Sequence, residues 1–205
     1  MDNNISIRRA TVDDAEIIAK VVAKAIGDKS ALESYCGKDY HSVLTTIAQQ
    51  QDTQYSYKFA LIAQIGSATA GAIVGYDGAQ LHKLRKATFA VIQKKTGHLP
   101  NIADETDSGE FYLDSVAVFA EFRGRGVGAA LIRALCNRAA TEGHSRVGLI
   151  VDSINPQAER LYTSLGFKRV GSRQFLGHQM WHLQQELYLS STTPLDEFGT
   201  LQKFQ

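Results

Sequence analysis

Proline and cysteine are both scarce, 3 and 2 in a chain of 205 residues. Cys36 and Cys136 stand far apart with no CxxC spacing, which excludes the zinc and redox motifs built on cysteine pairs. An excess of one charge is lacking too: 22 Lys and Arg face 21 Asp and Glu, a net charge of +1. Overall charge therefore offers no attraction to nucleic acid or to an anionic membrane, and neither is expected as a partner. No stretch approaches the roughly 20 apolar residues that span a bilayer. Met1 to Arg9 contain no apolar run of signal-peptide length. The 6 histidines show no metal-ligand spacing, so no metal is expected. The chain reads as a soluble cytoplasmic protein. At 44% hydrophobic and 21% charged residues its composition is ordinary for a globular fold. A chain of this length buries roughly 70% of its unfolded surface and needs no disulfide to hold a core.

Strand-like and helix-like segments alternate along it. Ile5 and Ile7 mark a short strand. Thr11 offers an N-cap, Asp13 and Asp14 suit the positive helix terminus, and Ile18, Val22 and Ile26 form a stripe that stops at Gly27. Residues 30–54 are polar and yield one helix, around 41–50. Residues 59–63 and 70–75 read as strands joined by a turn at Gly66-Ser67. Leu84, Ala87 and Val91 recur at helical spacing within 81–96, and an acidic loop covers 102–109. A strand at 111–118, a helix at 127–142, a buried strand at 146–152 and a helix at 155–165 follow. Strands at 167–170 and 180–189 come last. Cys136 falls among Leu131, Ile132, Leu135 and Ala139 and reads as a buried small hydrophobe. Hairpins beside βαβ crossovers imply one α/β (α+β) domain with a mixed sheet. We expect that domain to span 1–189, with an inserted helix and loop at 81–109 and a polar tail at 190–205.

The most informative stretch runs from Val116 to Leu131. A strand ends near Val118, and Gly124, Gly126 and Gly128 then lead into a helix. Without a Cβ the backbone can come close to a ligand, and free N–H groups at a helix N-terminus suit a pyrophosphate. Arg123 and Arg125 would add positive charge at the rim. A tight loop whose glycines serve only the chain direction is the alternative. Gly124, Gly126 and Ala129 also fit the spacing of a dinucleotide fingerprint. That fingerprint wants a turn leaving the strand directly, whereas five residues intervene here.

Arg123, Gly126 and Gly128 match the Arg/Gln-x-x-Gly-x-Gly/Ala signature, and the stretch resembles motif A of the GCN5-related N-acetyltransferases (GNAT). Downstream, Asn155-Pro156, Tyr162 and Gly166-Phe167 follow a strand in the order of that family's motif B. The resemblance implies a GNAT-like mixed central sheet, splayed in the middle, with helices on both faces. It implies acetyl-CoA as co-substrate, held by the segment Arg123, Gly124, Arg125, Gly126, Val127, Gly128 and Ala129. Backbone groups at Val116, Ala117 and Val118 would hold the thioester and pantetheine, with Asn155 and Tyr162 nearby. In the family this tyrosine protonates the departing thiolate. From the residues alone, Asn155 before Pro156 is a good helix N-cap, and Tyr162 equally reads as an edge-of-core packer.

Side chains alternate along the strand before the glycines, so Glu110, Tyr112 and Asp114 share one face and Phe111, Leu113 and Ser115 the other. Two carboxylates on a dry face are expensive, which makes that face wet or functional; a solvated strand end is the plainer reading. With the resemblance, Glu110, Asp114 and Tyr162 become the catalytic candidates. The implied reaction is direct attack of an amine, from a small molecule, peptide or protein, with no covalent enzyme intermediate. A non-catalytic acyl-CoA-binding sensor or structural domain is the rival. Asp104, Glu105 and Asp107 hint at a cationic acceptor, although such runs are usually just solvated. A homodimer stays open.

Overall fold

The computed structural model describes residues 4–187, so the expected tail at 190–205 lies outside the described residues. In chain order the elements are β1 (Ile5–Arg9), α1 (Ala15–Ile26), α2 (Lys29–Cys36), α3 (Tyr40–Ala48), β2 (Ala60–Ile65), β3 (Ala68–Asp77) and α4 (Leu81–Thr96). Then come β4 (Phe111–Val118), α5 (Val127–Thr141), β5 (Arg146–Asp152), α6 (Pro156–Ser164), β6 (Lys168–Phe175) and β7 (His178–Glu186). The strands form one sheet of seven in the order β1-β2-β3-β4-β5-β7-β6, antiparallel except between β4 and β5.

Local chemistry fixes the first crossover. Asp14 accepts a hydrogen bond from the Thr11 amide at 2.8 Å and takes the Arg8 guanidinium in a fork at 2.7 and 2.8 Å. The aspartate is therefore buried and tied to β1, a larger role than sweetening a helix terminus. Gly27, at φ +76°, stops α1 as expected. Helix α2 was not expected from the polar composition of its segment. Asp28 caps it by accepting from the Ala31 amide at 2.7 Å, and only Leu32, Tyr35 and Cys36 face inward. Three buried positions in a short helix leave little periodic signal.

Helices cover both faces of the sheet. On one, α5 packs Leu131, Ile132 and Leu135 against Phe111, Leu113, Val147, Leu149 and Leu183. On the other, Ile18, Val22, Leu44, Ile47 and Ile92 cover Ala60 and Val74. Each such fully buried Leu or Ile contributes about 1.5–3 kcal/mol. Helix α4 sends Leu81, Leu84, Thr88 and Ile92 inward, so the insertion is part of the core layer. Leu161 of α6 is 37% exposed, and the sixth strand runs past its expected end to a turn at Gly177.

The feature that positions the site is the parting of β4 from β5. They pair only at Phe111 with Val147 and Tyr112 with Gly148. Beyond that point β4 continues along β3 to Val118, while β5 continues along β7 to Asp152. The register between β3 and β4 also slips there: Val74 faces Ser115 and Gly75 faces Leu113, leaving Asp114 as the extra residue of a β-bulge. The bulge changes the phase of the strand. Val116 and Val118 join Phe111 and Leu113 against the α5 cluster, whereas Ala117 packs with Val21 and Ile62. The simple alternation grouped Ser115 with Phe111; instead its hydroxyl donates to Asp114 Oδ1 at 2.8 Å.

Candidate active site

A cavity of about 290 Å³ occupies the opening between the parted strands. Its sheet wall consists of Leu113, Asp114, Ser115 and Val116 on β4 and Ile150, Val151 and Asp152 on β5. Asn155, Ala158 and Tyr162 close it from α6. Across from them stand Tyr35 of α2, Tyr55, and Ile102 and Glu105 of the loop after α4. The β6–β7 turn adds Phe175, Leu176 and His178.

Asp114 is the carboxylate the bulge pushes into this space. Burial, then the nearby charge of Glu105, pushes its pKa up from 3.8 to about 7, against hydrogen bonds from Ser115 and Tyr76 that favour the charged form. The Tyr76 hydroxyl stands 3.2 Å from Asp114 Oδ2 and 3.4 Å from Glu105 Oε1, so its single proton is shared between two carboxylates. Glu105 is only 3% exposed. It pairs with Arg85 and accepts from Gln54 Nε2 at 2.8 Å, yet burial still holds its pKa above the usual value.

Glu110 lies elsewhere. It does not line the cavity; its carboxylate is buried where β4 and β5 still pair. There it accepts from Thr106 Oγ1 at 2.6 Å and Gln184 Nε2 at 2.7 Å, with His182 Nε2 at 2.9 Å. It fills the space a Cβ on Gly148 would need. Burial alone would raise its pKa, but the bonds from His182, Thr106 and Gln184 outweigh it and hold the pKa below the ordinary value.

On the α5 side the chain presents backbone. Gly124 and Gly126 adopt φ of +74° and +81°, and nothing lies within 4 Å of where their Cβ atoms would stand. The first intrahelical bond of α5 runs from the Ala130 amide to the Gly126 carbonyl at 3.0 Å, so the amides of Val127, Gly128 and Ala129 have no partner within the helix. Arg125 stacks over Phe122 at 5.8 Å. Asn155 caps α6 by accepting from the Ala158 amide at 3.1 Å. Tyr162 packs edge-on against Phe167 with ring centroids 5.9 Å apart. Burial pushes its pKa up to about 12. The glycine loop and the free amides of α5 do not line the cavity, which reaches Tyr162 from the other side of Val116.

A sequence model of the acetyltransferase (GNAT) family matches residues 30–167. The chain belongs to this family. Its fold is similar to that of a solved acetyltransferase, with a TM-score of 0.75 and 31% identity, over 89% of this chain and 100% of the other. An N-acetyltransferase from Staphylococcus aureus Mu50 gives a TM-score of 0.75 and 27% identity, over 87% of this chain and 99% of that one. A mycothiol acetyltransferase of Kocuria rhizophila is 44% identical over 70 residues, which cover 34% of this chain and only 22% of that protein. GNAT enzymes draw on acetyl-CoA and act on amine acceptors.

Among the residues singled out from the sequence, this GNAT fold gathers Asp114, Val116, Asn155 and Tyr162 around one cavity. Tyr35 and Tyr55 share the same walls without having been singled out, and so does Glu105, one of the three acidic residues read as a hint of a cationic acceptor. Nothing in their local sequence marks the tyrosines, and Glu105 looked like one member of a solvated acidic run. Among the described residues no helix is long and apolar enough to cross a membrane, and no group of three His, Cys, Asp or Glu is placed to hold a metal.

Proposed function

We propose that this chain transfers the acetyl group of acetyl-CoA to an amine, with Asp114 as general base and Tyr162 as general acid. The observation that carries this reading is that both side chains line one cavity in the sheet opening, Asp114 from β4 and Tyr162 from α6. Acetyl-CoA bound there supplies an activated thioester and a thiolate leaving group. The amides that open α5 and the open backbone at Gly124 and Gly126 bind its phosphates. The β4 backbone at Val116 offers an N–H to the carbonyl oxygen as negative charge gathers on it. Asp114 takes a proton from the incoming ammonium or amine, a task matched to a pKa of about 7 at neutral pH. Tyr162, held protonated by its raised pKa of about 12, gives its proton to the departing sulfur. Glu110 acts in this reading as a positioning residue that pins the vertex of the opening.

Release of free thiol from acetyl-CoA, followed against pH with a panel of amines, tests the proposal. The rate should rise through about pH 7 as Asp114 ionises. An acyl-CoA-binding sensor of the same fold would bind the thioester and release no thiol with any amine.

A further inference from the structure

The chamber beyond Asp114 is rich in hydrogen-bond acceptors and poor in donors. Asp114 and Glu105 face it, while Arg85, the nearest cation to Glu105, is already shared between Glu105 and Asp104. Two basic side chains line the cavity among the described residues. Lys24 is exposed at the end of α1, and His178 is engaged by Asp152 at 2.8 Å. Tyr55 donates to Tyr35 at 3.2 Å, which leaves the lone pairs of Tyr55 and the one O–H of Tyr35 at the cavity wall. Carboxylates and phenol oxygens facing one confined space suit a ligand that brings N–H groups and positive charge. The rings of Tyr35, Tyr55 and Tyr112 add faces on which an ammonium is stabilised.

Resting on the acetyl-transfer reading, we propose that the acceptor is a short aliphatic diamine, its reacting nitrogen at Asp114 and its far ammonium between Glu105 and the Tyr35–Tyr55 hydroxyl pair. A monoamine of the same length would leave Glu105 and the hydroxyls facing hydrocarbon. An acceptor ending in a carboxylate would set like charge against Glu105, with Lys24, exposed at the end of α1, left as the basic side chain to answer it. The confined volume, about 290 Å³ for both reacting ends, favours a short chain over a folded protein surface.

Cadaverine, n-pentylamine and δ-aminovalerate share one chain length and differ only at the far end, so their kcat/KM values test the proposal. Cadaverine should exceed n-pentylamine at least tenfold, about 1.4 kcal/mol, and δ-aminovalerate should fall below n-pentylamine. Glu105→Gln should bring the cadaverine to n-pentylamine ratio close to one, and Tyr55→Phe, which keeps the ring, should lower it several-fold. Equal rates for cadaverine and n-pentylamine, or a ratio unchanged in both variants, overturn the diamine inference and leave acetyl transfer standing. Acetyl-CoA binding with no thiol release from any of the three overturns both.

Discussion

On the α5 side of the cleft, Gly124 and Gly126 hold left-handed backbone and the first amides of the helix stand free, with hardly a side chain involved. Across the parted strands the polar part of the wall is made of side chains: Asp114, Glu105 and the phenols of Tyr35 and Tyr55, with Tyr76 behind them bonded to both carboxylates. A backbone site is built within a few consecutive residues and is spoiled by adding atoms. A side-chain site draws on remote segments, here α2, the loop after α4 and the bulge of β4, and is spoiled by altering single functional groups. In the proposed function the first grips the co-substrate and the second, retuned residue by residue, selects the acceptor.

The sharpest way to break this contrast is Asp114→Asn, which keeps shape and removes the base. We expect kcat to fall about a thousandfold, within the range for loss of a general base, and the rise of rate with pH to disappear. Stability gives an independent readout. A carboxyl raised from 3.8 to about 7 on folding contributes stability that is complete below 3.8 and is lost as pH rises through about 7. The asparagine variant should therefore lose less stability than the parent over that window in urea unfolding. Unchanged kcat would place the base elsewhere.

Tyr162→Phe should be milder, lowering kcat about a hundredfold with acetyl-CoA affinity nearly constant, because a thiolate leaves tolerably well unassisted. The effect should shrink for a thioester whose thiol has a lower pKa. Near-normal kcat under rate-limiting chemistry would return Tyr162 to packing against Phe167.

Gly126→Glu probes the opposite wall and should weaken acetyl-CoA binding at least tenfold by calorimetry, about 1.4 kcal/mol. Gly126→Ala imposes the same strain at φ +81° without the charge, so a smaller loss there separates collision with phosphate from backbone cost. Equal affinity for both variants and the parent would mean that the glycines serve only the turn.

Glu110→Gln should show the smallest kinetic effect, kcat within about threefold, and a stability loss of about 1–3 kcal/mol from a disturbed buried network. Its carboxylate is held below the ordinary 4.5, so the stability it provides is present above that value and lost as pH falls through the folded one. A large fall in kcat with unchanged unfolding would make Glu110 a participant in the chemistry.

The same contrast explains what could be read from the sequence. The glycine loop, the Asn-Pro helix start and Tyr162 lie in two continuous stretches, so their chemistry is written in local spacing. The strand at 111–118 was also legible, but its faces were not: an extra residue at Asp114 shifts the phase, and nothing in a strand's own sequence announces where its partner slips. Alternation grouped Glu110 with Asp114, yet the first is sealed at the vertex and the second opens to the cavity. Glu105 was hidden for another reason. Its carboxylate pairs with Arg85, 20 positions away on the helix of the inserted segment, a long-range contact that local spacing does not announce.

The pin at Glu110 also has a mechanical meaning. Where β4 and β5 part, its carboxylate ties the strand pair to Thr106 and to His182 and Gln184 of β7, in space vacated by the missing side chain of Gly148. The two strands beyond it are like the arms of a caliper, short at the hinge and long at the tips. By lever geometry a small change of angle at the vertex is a larger change of separation at Val118 and Asp152. Jaw width is thus gauged by a few buried hydrogen bonds at the hinge, several residues away from the atoms that react.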